Sequence, residues 1–462
     1  MILAGAGHAV HECTHECSNK PVEKGVAPVK PGEMPAWFVY SCPIFVDGLL
    51  VMAREKGIVC EIILFMMVVL VRYAEIALKG SNRPFFEEKL YQNLQRVLDL
   101  PPSRVKHFRT QFAIYPSPRE FNRVLEDLRK VFGVAWYAPA RTCRTSLGAI
   151  VQTGLEVAKA NVKPGDTFAV RAQRADKALP FTSPDLEREL GEAVRQATGA
   201  QVDLDDPDTT IYVSTSTEES YVYAEKFPGP GGLPVGTSGR VLSLLSGGPD
   251  SIASSYYLAR RGAQVDFLHF HVFPNKDAVL DSKIIPIVSK LSKYTLSDQL
   301  YLSSYLPFEM QVLGLQVRDA RYELVVFRRL MARIAEALAQ KHGYQAIVLG
   351  DSLGQVASQT MENIAAVDEA VSIPVFRPLI GMDKVEIMDL VQEIGLLEEA
   401  ISPYKDCCSL ITPKPVIKAY LPFVHTIEKD LNLSRVVEEM VDEVEVVAAR
   451  LKVERGIPPS PP

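Results

Sequence analysis

No apolar run in this sequence is long enough to cross a bilayer. The longest near the N-terminal end, Ile62 to Val71, is about half of the ~20 residues that a spanning helix needs, and Arg72 and Glu75 follow it, so it predicts a buried strand. No basic-then-apolar signal begins at Met1, which argues against export. Cysteine is scarce: the seven residues, at positions 13, 17, 42, 60, 143, 407 and 408 of 462, are too few and too unevenly spaced for a disulfide framework. They predict a reducing cytoplasm in which cysteines are kept for chemistry. An excess of positive charge is lacking as well. With a formal charge of −6, any nucleic-acid site has to be a local basic face on an acidic protein.

What is there is enough apolar material, 47% of the residues, to fill the cores of two to four domains. The segment that organises the chain is Ser246-Gly247-Gly248-Pro249-Asp250-Ser251, which ends the apolar run Val241 to Leu245 and opens a helical pattern from Ile252 to Arg261, closed by Gly262. A strand, a tight glycine turn and a helix N-terminus together make an anion cradle, because backbone N–H groups converge there and the helix adds the positive end of its dipole. A Walker A loop would need a lysine after the second glycine and wider glycine spacing, and a dinucleotide fingerprint is missing too. The hexapeptide resembles the SGGxDS loop of PP-loop ATPases, which cleave ATP to AMP and pyrophosphate while adenylating a substrate oxygen.

Residues 1–65 match nothing that follows and are expected to be a poorly ordered extension or the product of a start codon assigned too far upstream. Their cluster His8, His11, Cys13, His15 and Cys17 lacks the spacing of a zinc site, so no metal site is assigned. From Val68 the pattern becomes regular: a strand to Tyr73, the segment Glu75 to Gly80, and Asn82-Arg83-Pro84-Phe85-Phe86 leading into an amphipathic helix that runs through Leu98. Helical and strand-like segments then alternate to Glu225, and a glycine- and proline-rich connector spans 227–239. Beyond the loop, alternating strands and helices predict a parallel sheet with ligands at the carboxyl ends of its strands. The last helix is expected from Leu433 to Glu454.

Three separated motifs bear a resemblance to the ThiI family of tRNA 4-thiouridine synthetases: Glu75-Ile-Ala-Leu-Lys-Gly80, Gly350-Asp-Ser-Leu-Gly-Gln-Val-Ala-Ser-Gln-Thr360 with Arg377-Pro-Leu-Ile-Gly381 and Asp383-Lys384, and Asp406-Cys407-Cys408 leading to Lys414-Pro415. Ala74 stands where the family usually has glycine. The resemblance covers about residues 66 to 420. It implies an α+β ferredoxin-like domain at 66–120, a THUMP RNA-binding domain at 121–226, the linker 227–239, an α/β parallel-sheet PP-loop ATPase domain at 240–425, and a C-terminal helix and tail at 426–462.

By the same resemblance, ATP is met by Leu244, Leu245, Ser246, Gly247, Gly248, Ser251, His269, Phe270, Arg328, Gly350 and Gln359. Arg328 suits a phosphate, Gly350 allows close backbone approach, and Phe270 can cover a base. Asp250 can coordinate the Mg²⁺ that accompanies ATP. Lys79, Arg83, Lys106, Arg109, Arg171 and Arg174 are the candidates for tRNA contacts. Cys408, with Cys407 beside it, is the candidate for handling sulfur, since adjacent cysteines neither chelate a metal as a CxxC pair does nor form an unstrained disulfide.

The implied reaction adenylates a tRNA uridine at position 8 and replaces its oxygen with persulfide sulfur, giving 4-thiouridine. The stretch after Cys408 is too short for the rhodanese domain that some relatives append, so the persulfide is expected from a separate cysteine desulfurase or rhodanese-type protein. Delivery of sulfur to a ThiS-type carrier for the thiamine thiazole stays open, and relatives suggest a homodimer with no membrane association. Two other readings compete: a PP-loop ligase acting on a small molecule, which the basic front half argues against, and an RNA-binding THUMP protein whose ATPase has decayed, which the intact loop and paired cysteines argue against.

Overall fold

The computed structural model describes residues 43–46, 49–52, 63–64, 67–73, 75–108, 110–174, 179–217, 219–316, 319–407, 411 and 414–448. Arg109, Cys408 and the His/Cys cluster of residues 8–17 lie outside the described residues. Within the expected extension, β1 (Pro43–Val46), β2 (Leu49–Met52) and β3 (Ile63–Leu64) pair antiparallel in a sheet of their own.

The front half is built on one sheet. Its central strand β4 (Met67–Arg72) is the predicted buried strand. Period-two alternation sends Val69 and Val71 into the core on one face and Val68 and Leu70 into the core on the other. Each is fully buried, which contributes roughly 1.5–3 kcal/mol per side chain. The helix α1 (Arg83–Leu98), with Pro84 in its first turn, lays Leu90, Leu94 and Leu98 on this sheet. Then come β5 (Val105–Phe108), β6 (Gln111–Ile114), α2 (Phe121–Leu128), β7 (Trp136–Arg144), α3 (Leu147–Asn161), β8 (Thr167–Arg174), α4 (Ser183–Thr198), β9 (Gln201–Val202), β10 (Thr209–Thr215), β11 (Glu219–Tyr223) and β12 (Phe227–Pro228). The sheet order is β5-β6-β4-β7-β11-β10-β8-β9, with β12 also on β7.

The long strand β7 fuses the two front units, pairing with β4 through Trp136 to Arg141 and with β11 through Arg141 to Arg144. One correction follows. The sequence reading opens the second unit at residue 121, yet Phe121, Val124 and Leu128 of α2 pack into the first core beside Leu90 and Leu94, because the apolar face of α2 fits the groove beside α1.

The connector 227–239 is a strap, not a loose link. Gly231 N donates to Val134 O and Leu233 N donates to Arg260 O, so the strap is stitched to both halves. Leu233 and Val235 are buried. Asn93 adds a bond from α1 to Val235 O at 3.1 Å.

The rear half comprises β13 (Arg240–Leu244), α5 (Pro249–Arg260), β14 (Gln264–His271), α6 (Asp277–Leu280), α7 (Ile284–Thr295), β15 (Gln299–Ser304), α8 (Leu306–Val312), α9 (Glu323–His342), β16 (Ala346–Val348), α10 (Met361–Asp368), β17 (Val375–Phe376), α11 (Lys384–Glu393), α12 (Leu397–Ile401), α13 (Leu421–Asp430), α14 (Leu433–Asp442) and β18 (Glu445–Ala448). Its sheet runs β17-β16-β13-β14-β15-β18, parallel except for β18, with a buried core on each face. The chain winds outward from β13 through β14 and β15, then returns to place β16 on the other side of β13. The carboxyl ends of β13 and β16 thus flank the switch point where ligands of such sheets bind.

The tail differs from expectation. The helix expected to reach Glu454 stops at Asp442, and β18 then pairs antiparallel with β15, Glu445 opposite Leu302. The β-branched residues Val444, Val446 and Val447 favour a strand here, and it covers an otherwise open sheet edge.

Candidate nucleotide and sulfur site

The glycine loop leaves β13 at its carboxyl end and turns straight into α5. Gly247 has φ +81°, a conformation that costs glycine nothing, and a side chain there would strike Ile284. Ser246 Oγ accepts from Gly248 N at 3.3 Å, and Ser251 Oγ donates to Gly248 O at 2.9 Å, so the two serines brace the turn from within. No side chain caps α5, whose first turn keeps its N–H groups turned to the loop, with Pro249 at the position where a missing N–H costs nothing.

Against the loop lies the segment that follows β16. A Cβ on Gly350 would stand 2.8 Å from the carbonyl carbon of Asp250 and 3.0 Å from Ser251 N. The glycine expected to let a ligand approach in fact lets the two strand-end loops touch. Asp250 receives Lys384 Nζ at 2.8 Å on both carboxylate oxygens and Gln355 Nε2 at 3.2 Å. Lys384 is delivered by a capping box: Asp383 accepts from Val385 N and Glu386 N while Glu386 accepts from Asp383 N, which fixes the start of α11.

Asp351 is the buried hub of the pocket wall, only 2% exposed. Arg328 Nη2 donates to it at 2.7 Å, Arg377 Nε at 2.9 Å and Gln359 Nε2 at 3.5 Å. Burial pushes its carboxyl pKa up, but the two guanidinium groups outweigh burial and hold it below the usual value. Three buried polar atoms of this wall, Arg328 Nε, Gln355 Oε1 and Gln359 Oε1, have no hydrogen-bond partner among the described residues. Buried polar atoms are rarely left so, and three in one wall mark a surface made for a polar ligand.

His269 is buried and doubly bonded: its Nδ1 meets Leu245 O at 2.7 Å and its Nε2 meets Tyr404 Oη at 2.7 Å. Burial lowers its pKa to about 4. Phe270 needs a correction. Its ring packs edge-on against Phe327 within the core and is 7% exposed, so it does not lie open to cover a base. The apolar cluster around α9 draws it inward. Leu244 is half-buried and Leu245, which leads directly into the loop, is buried.

Cys407 is buried, near the phenols of Tyr305 and Tyr404. Tyr404 is pushed up to about 12, chiefly by burial.

The basic candidates of the front half are spread apart and engaged within the protein. Lys79 meets Glu75 at 3.4 Å, Arg83 bonds Tyr73 and Glu87, and Lys106 lies 3.6 Å from Glu219. Arg171 donates to Leu204 O, and Arg174 to Leu179 O and Phe181 O. Arg174 also borders an open cleft of about 480 Å³ between the two front units, with Arg72, His107, Phe108, Gln111 and Gln173. Sequence reasoning missed Asp351, Gln355, Arg377 and Tyr404, although the first three sit inside the quoted motifs.

Comparison with known proteins gives the following. A family model described as thiamine biosynthesis protein (ThiI) matches residues 236–433, a ThiI ferredoxin-like domain matches 68–138, and a THUMP domain matches 144–225. The chain is 40% identical over 382 residues to a probable tRNA sulfurtransferase of Moorella thermoacetica, covering 82% of this chain and 96% of that protein. It is 36% identical over 380 residues to one of Thermoanaerobacter pseudethanolicus, covering 82% and 98%. A crystal structure of a 4-thiouridine synthetase in complex with RNA and ATP is similar at a TM-score of 0.75 and 30% identity, covering 83% of this chain and 99% of that one.

Proposed function

The chain belongs to the ThiI family of tRNA sulfurtransferases, and on that footing we propose that it converts a tRNA uridine, at position 8, to 4-thiouridine through an adenylated intermediate. The observation that carries this reading is the wall of unpartnered buried polar atoms facing a helix N-terminus at the sheet's switch point. The similar structure bound to RNA and ATP supports it.

The uridine O4 attacks the α-phosphorus of ATP, the bond to the bridging oxygen breaks, and pyrophosphate leaves. The ring carbon then carries AMP as a leaving group. The terminal sulfur of a cysteine persulfide attacks that carbon, and AMP departs with the original oxygen. A second cysteine thiolate breaks the remaining sulfur–sulfur bond, leaving the thiocarbonyl on the base and a disulfide that an external thiol reduces. Cys408 supplies that second thiolate or carries the sulfur itself, with Cys407 as the neighbouring candidate.

In this reading Ser246, Gly247, Gly248 and Ser251 hold phosphate through backbone and hydroxyl groups. Leu244, Leu245 and the backbone of His269 and Phe270 border the nucleotide, and Gly350 keeps the two loops in register. Arg328 and Gln359 offer their open polar atoms to the nucleotide. Magnesium suits the site: the chain offers it one carboxylate, Asp250, and this ion characteristically keeps waters and takes its other ligands from phosphate oxygens. When bound, it neutralises phosphate charge during adenylation. No helix among the described residues is long and apolar enough to cross a membrane.

Lys79, Arg83, Lys106, Arg109, Arg171 and Arg174 remain the proposed tRNA contacts. The persulfide is proposed to come from a separate desulfurase or rhodanese-type protein, with a ThiS-type carrier as a second acceptor, in the cytoplasm and from a homodimer. The deciding experiment incubates the protein with unmodified tRNA, ATP, Mg²⁺ and a persulfide donor and analyses the nucleosides by mass spectrometry. A mass gain corresponding to sulfur for oxygen at uridine is expected, and none would overturn the reading.

A further inference from the structure

Two struts tie the glycine loop to the segment that carries the cysteines. The first starts at Leu245, the residue before the loop. Its carbonyl can only accept, so His269 Nδ1 carries the proton of that 2.7 Å bond. A neutral imidazole then has a bare Nε2, which accepts from Tyr404 Oη at 2.7 Å. Tyr404 is three residues before Cys407. Its ring is gripped edge-on by Phe273 and lies 5.8 Å below Lys283 Nζ.

The second strut is Lys283 itself. Its stem lines the spot where Gly247 would carry a Cβ, with Cε 3.2 Å away, and its ammonium donates to Ala400 O and Ser402 O at 2.9 Å each. Both struts span more than a hundred residues of chain and meet on the same short stretch, residues 400–407. None of these bonds is needed to form the glycine turn, which its own serines brace.

Resting on the sulfurtransferase reading above, we propose that Tyr404, through His269, and Lys283 are positioning residues that hold the cysteine segment at a set distance from the nucleotide loop, so that sulfur attack depends on them while adenylation does not. Adenylation uses atoms of the loop and the Asp351 wall. Sulfur attack needs a group from a different loop to reach the same ring carbon, and such alignment is where small displacements are costly.

The test measures the two half-reactions separately in Tyr404→Phe, which keeps the ring and its contact with Phe273 but removes the hydroxyl. Pyrophosphate release with tRNA but no persulfide donor reads adenylation, and 4-thiouridine with the donor reads transfer. The expected result is pyrophosphate release close to wild type and transfer turnover down roughly tenfold or more. Lys283→Met, folded by its own melting curve, should show the same split. Equal loss in both half-reactions, or no loss in either, overturns the struts. Wild-type protein that releases pyrophosphate but never forms 4-thiouridine overturns the functional reading instead, and the struts with it.

Discussion

Lys384 Nζ sits 2.8 Å from both carboxylate oxygens of Asp250, although the two residues are 134 positions apart in the chain. The pair places a cation and an anion at the mouth of the glycine loop, one suited to phosphate and the other to the metal that travels with it. Asp250→Ala should therefore lower 4-thiouridine formation roughly 10²-fold or more, the scale of losing one electrostatic stabiliser of a reacting centre. Affinity for tRNA, measured by filter binding, should stay close to wild type, since the proposed RNA contacts lie in the front half. Unchanged thiolation in that variant would sink the PP-loop assignment.

Gly350→Ala tests whether loop contact, not ligand access, is what this glycine serves. The added methyl group meets backbone atoms of Asp250 and Ser251 at 2.8–3.0 Å, and backbone cannot swing aside as a side-chain tip can. The expected cost is about 1–3 kcal/mol of stability, read by urea denaturation without any ligand. A variant as stable as wild type but weak for ATP would restore the ligand-access view.

The two cysteines should separate cleanly. Cys407 is 4% exposed within an apolar cluster, so Cys407→Ser buries a hydroxyl and should cost about 1–3 kcal/mol by thermal or chemical melting. Cys408→Ser should stop sulfur transfer while pyrophosphate release by adenylation continues. Full transfer activity in Cys408→Ser would move the chemistry to Cys407 or off this chain.

Much of this arrangement was legible from the residues. The run Val68 to Val71 announced a buried strand, and Ser246 to Ser251 announced a tight glycine turn between a strand and a helix, because local steric preference and apolar periodicity determine both. Asp383-Lys384 could be picked out as a motif, but not its division of labour: Asp383 caps a helix and Lys384 reaches Asp250. Pairings such as Lys384 with Asp250, or Arg328 and Arg377 on Asp351, depend on tertiary contacts that spacing does not encode. Phe270 failed for the same reason, since only the fold reveals that Phe327 claims its ring. The end of α14 was misjudged because the strand preference of Val444, Val446 and Val447 was overlooked in a stretch that reads on from the helix, and it is β15 that gives them a partner.

The last prediction concerns His269 and acid. Its pKa is lowered by burial from the ordinary 6.5 to about 4, so the folded protein keeps it neutral where the unfolded chain has begun to protonate it. A histidine depressed in this way contributes stability that is fully present above pH 6.5 and is lost as pH falls from there toward 4, because the unfolded state binds the extra proton. Between about pH 7.5 and pH 5 the loss from this group alone comes to about 2 kcal/mol. His271 is lowered too, again chiefly by burial, and adds in the same direction. His269→Gln isolates the contribution, since glutamine offers an N–H to Leu245 O and an oxygen to Tyr404 but does not titrate. Unfolding free energies from urea titrations at the two pH values should then fall by about 2 kcal/mol less in the variant than in wild type. Parallel losses in the two proteins would mean that His269 is not held neutral by burial and that the 2.7 Å bond to Tyr404 is not the one its bare Nε2 accepts.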